Sequence, residues 1–238
     1  MKKITVTTGI LITLLLAAVS SFSQTQSRDD ILKQIEAKRA ELDQLEKRLL
    51  APSEQDKAGY AEFLRQPNTG LIRLLPREKF DRTPEKKVLT ITGGGAYYSF
   101  VRLTHDYGYG SDLELAQGYF STGFAGADYG IMTSLGDIAL ENVTSEAAAF
   151  LVNYAPADDL PKARIEQRKW GEGATADGTN YSRRLLVKEN STYLLRSVNY
   201  DTSDVLVAFR VVRVDNDDSV TILWKLLKKY PTPRLARN

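Results

Sequence analysis

The C-terminal part of the chain limits the possible folds most strongly, because three β-prone segments follow one another there with short links between them. The segments are residues 192–200, 205–214 and 220–227. The links, 199–204 and 215–218, consist mostly of Asn, Asp, Ser and Thr, which favour turns. The last segment places apolar residues at every second position, as a strand with one buried face does. The pattern predicts an antiparallel meander of three strands.

Further β-prone runs, separated by Gly, Asp and Asn, precede this meander. They are residues 88–92, 97–104, 113–116, 119–124, 129–134, 150–154, 163–169 and 183–188. So many short strands are typical of sandwiches and barrels. We therefore expect a mainly β protein, an antiparallel β-sandwich or a small β-barrel, preceded by an N-terminal helical extension.

The N-terminal residues 1–23 have the three parts of a secretory signal peptide. Lys2 and Lys3 precede an apolar run over residues 10–19, and Ser21 and Ser23 fit a cut before Gln24. The run is shorter than the roughly 20 apolar residues that span a bilayer. We expect export to the periplasm or the extracellular space, as for a bacterial protein.

Composition excludes several classes of protein and site. With 42% apolar and 26% charged residues the chain is typical of folded globular proteins. The formal charge of +2 falls to +2 − 2 = 0 once Lys2 and Lys3 are removed, so nucleic acid is not an expected partner. The absence of cysteine excludes disulfides, thiolate metal sites and a lipidated anchor, and we expect no stable membrane anchor.

Residues 24–87 are predicted to form the helical extension and a connector, and residues 88–238 the β-rich domain with a basic C-terminal tail. Ser27 begins the first helix as an N-cap, and apolar residues then recur at spacings of three and four with Lys38 as the one exception. The apolar positions are Ile31, Ile35, Leu42, Leu45 and Leu49. Such a stripe suits either packing on the chain's own domain or a weak homodimer through residues 31–49.

A local clustering of residue types marks the region from Gly93 to Gly136, here called the glycine and tyrosine belt. It holds ten of the sixteen glycines and six of the twelve tyrosines. Tyrosines suit sugar or peptide binding, and we predict Tyr107, Tyr109 and Tyr129 as a shared binding face. The alternative is structural, with glycines at sharp bends of the sheet and tyrosines packed against them.

The single histidine, His105, is the natural candidate for acid–base chemistry. In a catalytic role it would act with a carboxylate such as Asp106 or Asp112, although Asp106, as its neighbour in sequence, points to the opposite face if the strand is regular. No G-x-S-x-G nucleophile motif occurs in the chain. The alternative role of His105 is a hydrogen bond to the main chain or to Asp106 at the end of a strand.

Carboxylates cluster at residues 215–218, where Asp215, Asp217 and Asp218 resemble a calcium-binding loop in composition only. The glycine and the distal glutamate of such a loop are missing, and hairpin turns use the same residue types. We expect a turn, with a metal site as the alternative, and no cofactor.

Together these patterns predict an exported, non-catalytic binding or assembly protein of the cell envelope or the extracellular space. The expected partner is an envelope glycan or a protein. The alternative is a secreted hydrolase acting on glycan or peptide, with His105 as the acid or base. A fold class alone does not decide between them.

Overall fold

A computed structural model describes residues 27–83, 85–108 and 110–236. The chain divides into two units, the first ending at Leu42 and the second beginning at Asp43. The predicted signal peptide lies outside the described residues. Within the described ranges, no helix has both the length and the apolar character needed to cross a membrane.

Three of the six α-helices of the described residues begin after a side-chain cap, namely those that start at Arg28, Glu54 and Leu160. They are α1 (Arg28–Leu50), α2 (Glu54–Gly59), α3 (Ala61–Leu64), α4 (Arg77–Phe80), α5 (Ala149–Asn153) and α6 (Leu160–Glu172). The hydroxyl oxygens of Ser27 and Ser53 accept the main-chain N–H groups of Asp30 and Asp56, each at 3.1 Å. These bonds satisfy donors that the first helical turn leaves free, and the bond at Ser27 confirms the predicted start of the first helix.

The strands form antiparallel sheets. They are β1 (Thr69–Leu74), β2 (Tyr97–Tyr98), β3 (Leu113–Ala116), β4 (Tyr119–Ser121), β5 (Tyr129–Gly136), β6 (Ala174–Ala176), β7 (Thr179–Tyr181), β8 (Arg184–Leu186), β9 (Thr192–Asn199), β10 (Ser203–Val214) and β11 (Val220–Lys229). A five-stranded sheet has the order β1-β11-β10-β9-β5, and a four-stranded sheet the order β2-β3-β4-β8. Strands β6 and β7 form a separate hairpin. The three-strand meander β9-β10-β11 is confirmed.

Two apolar cores flank the five-stranded sheet, because alternate residues of its strands point to opposite faces. The helix-side core includes Leu194 and Val198 of β9 with Leu151 of α5 and Trp170 of α6. The sheet-side core, between the two larger sheets, includes Tyr98, Phe100, Leu113, Leu115, Phe120, Tyr193, Leu195, Phe209, Ile222 and Trp224. The mainly antiparallel, sandwich-like β fold with an N-terminal helix is thus confirmed.

Three predicted strands are wrong. Residues 150–154 and 163–169 lie mainly in helices α5 and α6, and residues 88–92 form bends rather than a strand. Helix α6 begins at a cap, since the side chain of Asp159 accepts the N–H of Lys162 at 2.8 Å, and Pro161 fits its first turn. Conversely β1, inside the predicted connector, pairs with β11 as an edge strand of the sheet.

Candidate functional site

Three of the five described tyrosines of the glycine and tyrosine belt are buried. Tyr97, Tyr98 and Tyr129 are buried, Tyr119 is half-buried, and Tyr107 is 40% exposed. Tyr109, one of the three predicted binding residues, lies outside the described residues. The belt is therefore chiefly a packing feature where it is described, with Tyr107 as its exposed aromatic residue.

Tyr129 lies in the helix-side core and contributes no exposed area to a face shared with Tyr107. Its hydroxyl is 3.0 Å from that of Tyr154, and Tyr154 donates to the Glu166 carboxylate at 2.7 Å. Burial raises the pKa of Tyr129 because the phenolate would lose its solvation. The structure therefore does not bring Tyr107 and Tyr129 together on an exposed surface.

Tyr97 anchors a polar cluster under Tyr107. Its hydroxyl donates to Glu114 Oε1 at 2.5 Å, and Arg77 Nη1 donates to the same oxygen at 3.0 Å. The Tyr107 ring packs on that of Tyr97 with centroids 4.6 Å apart. Gly93, at φ 86°, makes this possible, because a Cβ there would lie 2.4 Å from the Tyr97 ring. The cluster satisfies its own charges and fixes the ring of Tyr97.

His105 is held by the main chain. Its Nε2 lies 2.9 Å from the carbonyl oxygen of Arg73, which can only accept, so Nε2 carries the proton. Its ring packs edge-on against Tyr98, and burial lowers its pKa. Asp106 accepts instead from the Thr104 hydroxyl at 2.9 Å. No other side chain of the described residues hydrogen-bonds the imidazole, the arrangement expected of a structural histidine.

Asp112, the other carboxylate considered as a catalytic partner of His105, is fully buried. Its hydrogen bonds are to groups other than His105. Its Oδ2 accepts the main-chain N–H of Phe100 at 2.8 Å and its Oδ1 accepts from Asn199 Nδ2 at 2.9 Å. Burial raises the pKa of Asp112 to about 6, more than these donors lower it. The group links the loop before β3 to the end of β9.

The turn with Asp215, Asp217 and Asp218 has protein cations as its partners. Arg73 Nη2 lies 2.9 Å from the Asp215 carboxylate and 3.5 Å from that of Asp217. Lys79 Nζ lies 2.6 Å from Asp218, and Arg213 Nε lies 2.7 Å from Asp215. In the described part of the chain, no group of three or more metal-ligating side chains is poised for an ion. The ion pairs attach the β10–β11 hairpin to β1 and α4.

Helix α1 exposes a stripe of large apolar side chains. Its members are between 39% and 50% exposed, although they are large aliphatic side chains; they are Ile31, Leu32, Ile35, Leu42 and Leu45. Leu50, at the end of the helix, is buried. Four of the five apolar heptad positions predicted from the sequence, Ile31, Ile35, Leu42 and Leu45, belong to this stripe, whereas the fifth, Leu49, is half-buried.

The sequence did not indicate which arginines pair with the carboxylates described above. Arg73 lies 144 residues before Asp217 and Arg77 lies 37 residues before Glu114, and no spacing rule connects such positions. Arg73 lies in β1 and Arg77 in α4, so only the three-dimensional arrangement brings them to these carboxylates.

Comparison with protein-family models, with curated proteins and with solved structures gives no significant match.

Proposed function

We propose that this chain is a non-catalytic assembly or binding protein of the cell envelope or the extracellular space, and that it self-associates through α1. The exposed apolar stripe of α1 carries the proposal. Large aliphatic side chains on one face of a charged helix are typical of a surface that a partner covers.

The spacing of the stripe favours a second copy of α1 as the partner. Ile35, Leu42 and Leu49 occupy a positions of a heptad, and Ile31 and Leu45 occupy d positions. A repeat of 3.5 residues suits a helix wound around another helix, because a single helix packed on a domain follows 3.6. The seam is self-complementary, so two identical helices can share it.

Lys38 occupies the central d position and favours an antiparallel pair. In a parallel dimer the two Lys38 ammonium groups would meet in one layer of the seam. In an antiparallel dimer each Lys38 lies beside Leu42 of the other helix, which lets its methylene stem pack and its charge reach water. Lys38 also pairs with Glu41 of its own helix at 2.7 Å. With 23 residues, α1 offers three heptads, about 35 Å, enough for a weak dimer only.

Sedimentation equilibrium on the mature chain tests the assembly. We expect concentration-dependent dimers that Leu42→Glu abolishes, because a carboxylate cannot be buried in the seam without a partner. Ala40→Glu is the matched control, since it introduces the same residue on the opposite face of the helix and should leave the dimer intact. Lys38→Leu should tighten the dimer by filling the seam.

A wild-type chain that stays monomeric at the highest attainable concentration would contradict self-association. Equal effects of Leu42→Glu and Ala40→Glu would also contradict it, because the seam would then have no special role.

Export is tested separately. Mass spectrometry of the chain from culture medium and periplasmic extract of an expressing bacterium should find Gln24 as the first residue. Recovery of the chain only with Met1 intact would contradict export.

A further inference from the structure

A pocket of about 420 Å³ lies along one face of helix α6. Five residues of α6 at spacings of three and four line it, together with one residue of the link between β7 and β8. They are Arg164, Gln167, Arg168, Gly171, Glu172 and Arg183. The volume falls in the range of small-molecule sites, about 300–1,000 Å³. No residue of α1 belongs to this lining.

The guanidinium group of Arg164 is held at the pocket by another lining residue. The side-chain amide of Gln167 donates to the main-chain carbonyl oxygen of Asp128 at 2.9 Å, which fixes its orientation. The free Oε1 of Gln167 then accepts from Arg164 Nη1 at 3.1 Å. This contact leaves the other N–H donors of the guanidinium available to a ligand.

Arg183 reaches the same pocket from outside the helix. Its main-chain N–H donates to the carbonyl oxygen of Trp170 at 2.8 Å, which holds the link against the last turn of α6. Its side chain lies across Gly171, where a Cβ would be 3.8 Å from Arg183 Cδ and 3.9 Å from Nε. Gln167 and Gly171 are about 6 Å apart along the helix axis, so the two arginines are held at neighbouring positions of one pocket.

The three arginines of the lining are exposed and make no ion pair with any described residue. The lysines of the same helix differ in this respect, because each has a carboxylate partner. Lys162 lies 2.9 Å from Asp159, and Lys169 lies 3.8 Å from Glu166. The cations without a protein partner are thus the ones that line the pocket.

The lining carries an excess of positive charge. Arg164 and Arg168 are four residues apart in α6, a spacing at which like charges repel each other and destabilise a helix. Glu172 is the single carboxylate of the lining, and it is exposed without an ion pair to any described residue. The formal charge of the lining is therefore +3 − 1 = +2. A ligand with two negative charges would neutralise it.

A phosphate monoester matches this lining in both charge and geometry. The planar guanidinium fork donates two parallel N–H groups to a phosphate. A phosphate monoester offers three terminal oxygens and a charge of about −1.5 to −2 at pH 7. A carboxylate has fewer oxygens and a single charge, and a sulfate monoester has the three oxygens but a single charge, so neither would neutralise the lining.

We propose that this pocket binds the phosphate group of a monoester. Arg164 and Arg183 donate to its oxygens from their held positions, and Arg168 donates from the turn of helix between them. At about 30 Å³ for each water-sized group, the pocket holds roughly fourteen such groups, which leaves room for the organic part of the ester. Binding here is independent of assembly through α1, so either can fail alone.

Methyl phosphate and methyl sulfate are matched probes, because they share a shape and differ by one charge at a pH of about 8. We expect methyl phosphate to move the main-chain ¹H–¹⁵N signals of Gly171 and Arg183 saturably in about 0.15 M salt, where general surface attraction is screened. Methyl sulfate should bind at least tenfold more weakly. Glucose 1-phosphate should bind more tightly than inorganic phosphate, because its organic part also contacts the lining.

Two neighbouring arginines provide a matched pair of variants. Arg183→Gln should weaken methyl phosphate binding about tenfold or more, the scale for losing one hydrogen bond to a charged group. Arg183→Lys keeps the charge without the fork and should recover only part of this loss. Arg184→Gln should leave binding unchanged, since Arg184 lies outside the lining with its guanidinium 4.1 Å from the centre of the Tyr119 ring. Both arginines are exposed, so these variants should fold.

Four results would overturn the proposal. The signals of Gly171 and Arg183 could stay unmoved by methyl phosphate, or methyl sulfate could bind as tightly as methyl phosphate. The Arg183→Gln and Arg184→Gln variants could lose the same affinity, which would show a general attraction of anions to a basic surface. Inorganic phosphate could bind as tightly as glucose 1-phosphate, which would exclude an ester as the preferred ligand. The monomeric Leu42→Glu variant should bind methyl phosphate like the wild type, which separates this test from that of assembly.

Discussion

The two cores on either side of the five-stranded sheet each contain one tryptophan, and they treat its indole N–H differently. In the helix-side core, Trp170 donates to the Glu166 carboxylate at 2.9 Å and is fully buried. In the sheet-side core, Trp224 is nearly as buried, but its indole N–H has no acceptor among the described residues. An unpaired buried donor costs about 1–3 kcal/mol. The indole N–H therefore contributes a hydrogen bond to the helix-side core and an unfavourable term to the sheet-side core.

Buried charges show the same contrast. On the helix side Arg196 pairs with Asp204 through Nη2 at 2.8 Å and donates to the carbonyl oxygen of Leu151 at 2.7 Å. On the sheet side the partners of Asp112 are all neutral, namely the N–H of Phe100 and the amide of Asn199. The difference predicts that removing the charge of Arg196 will destabilise the folded protein. It also predicts that protonation of Asp112 will stabilise the folded protein.

The largest expected effect is on the helix side. Arg196→Met should lower the free energy of unfolding by about 3–5 kcal/mol, because Asp204 would stay buried without its counter-charge. Urea unfolding at neutral pH measures it. The double variant Arg196→Met, Asp204→Leu should recover much of the loss, since both charges are then gone.

If Arg196→Met lowered the free energy of unfolding by less than about 1 kcal/mol, the Arg196–Asp204 pair would contribute no more than a surface ion pair. The proposed difference between the two cores would then be wrong. Lys162→Met is the surface control, since Lys162 pairs with the exposed Asp158 at 2.9 Å. We expect it to unfold at nearly the wild-type urea concentration.

A smaller effect should appear on the sheet side as a pH dependence. Burial raises the pKa of Asp112 to about 6 in the folded protein, above the value of about 3.9 in an unfolded chain. Between these values the folded state holds a proton that the unfolded state has lost, so stability falls as pH rises through this window. Lowering the pH from about 7 to about 4 should therefore return about 2 kcal/mol from this group.

Asp112→Asn isolates this contribution, because other groups titrate in both proteins and cancel in the difference. The wild type should gain stability relative to the variant as the pH falls from neutrality through the folded pKa of about 6. Parallel pH profiles of the two proteins in urea unfolding would show that Asp112 keeps an ordinary pKa when folded.

The fold was predictable where local pattern decides it. The meander was predicted within two residues at each end of β9, β10 and β11, since turn residues and alternation are both local signals. Helix α6 differs from the predicted strand over residues 163–169, although Asp159 and Pro161 are typical of a helix start. The pairing of β1 with β11 joins residues about 150 positions apart and has no local signal.

The candidate sites were less predictable than the fold. Sequence singled out His105 and the belt tyrosines because of their chemistry, yet their roles depend on burial, which residue type does not reveal. Trp224 lies in the last segment of the meander, where the alternation predicts one buried face, and nothing in the sequence indicates that its N–H lacks an acceptor. Whether this N–H has an acceptor can be decided only from the positions of all the surrounding residues.

The smallest expected effect comes from comparing the two tryptophans directly. Trp170→Phe and Trp224→Phe remove the same atoms from buried sites, but only the first also removes a hydrogen bond, the one to Glu166. We expect Trp170→Phe to destabilise by about 1–2 kcal/mol more than Trp224→Phe in urea unfolding. Equal losses from the two substitutions would mean that the Trp224 N–H already has an acceptor, which would remove the difference between the two cores.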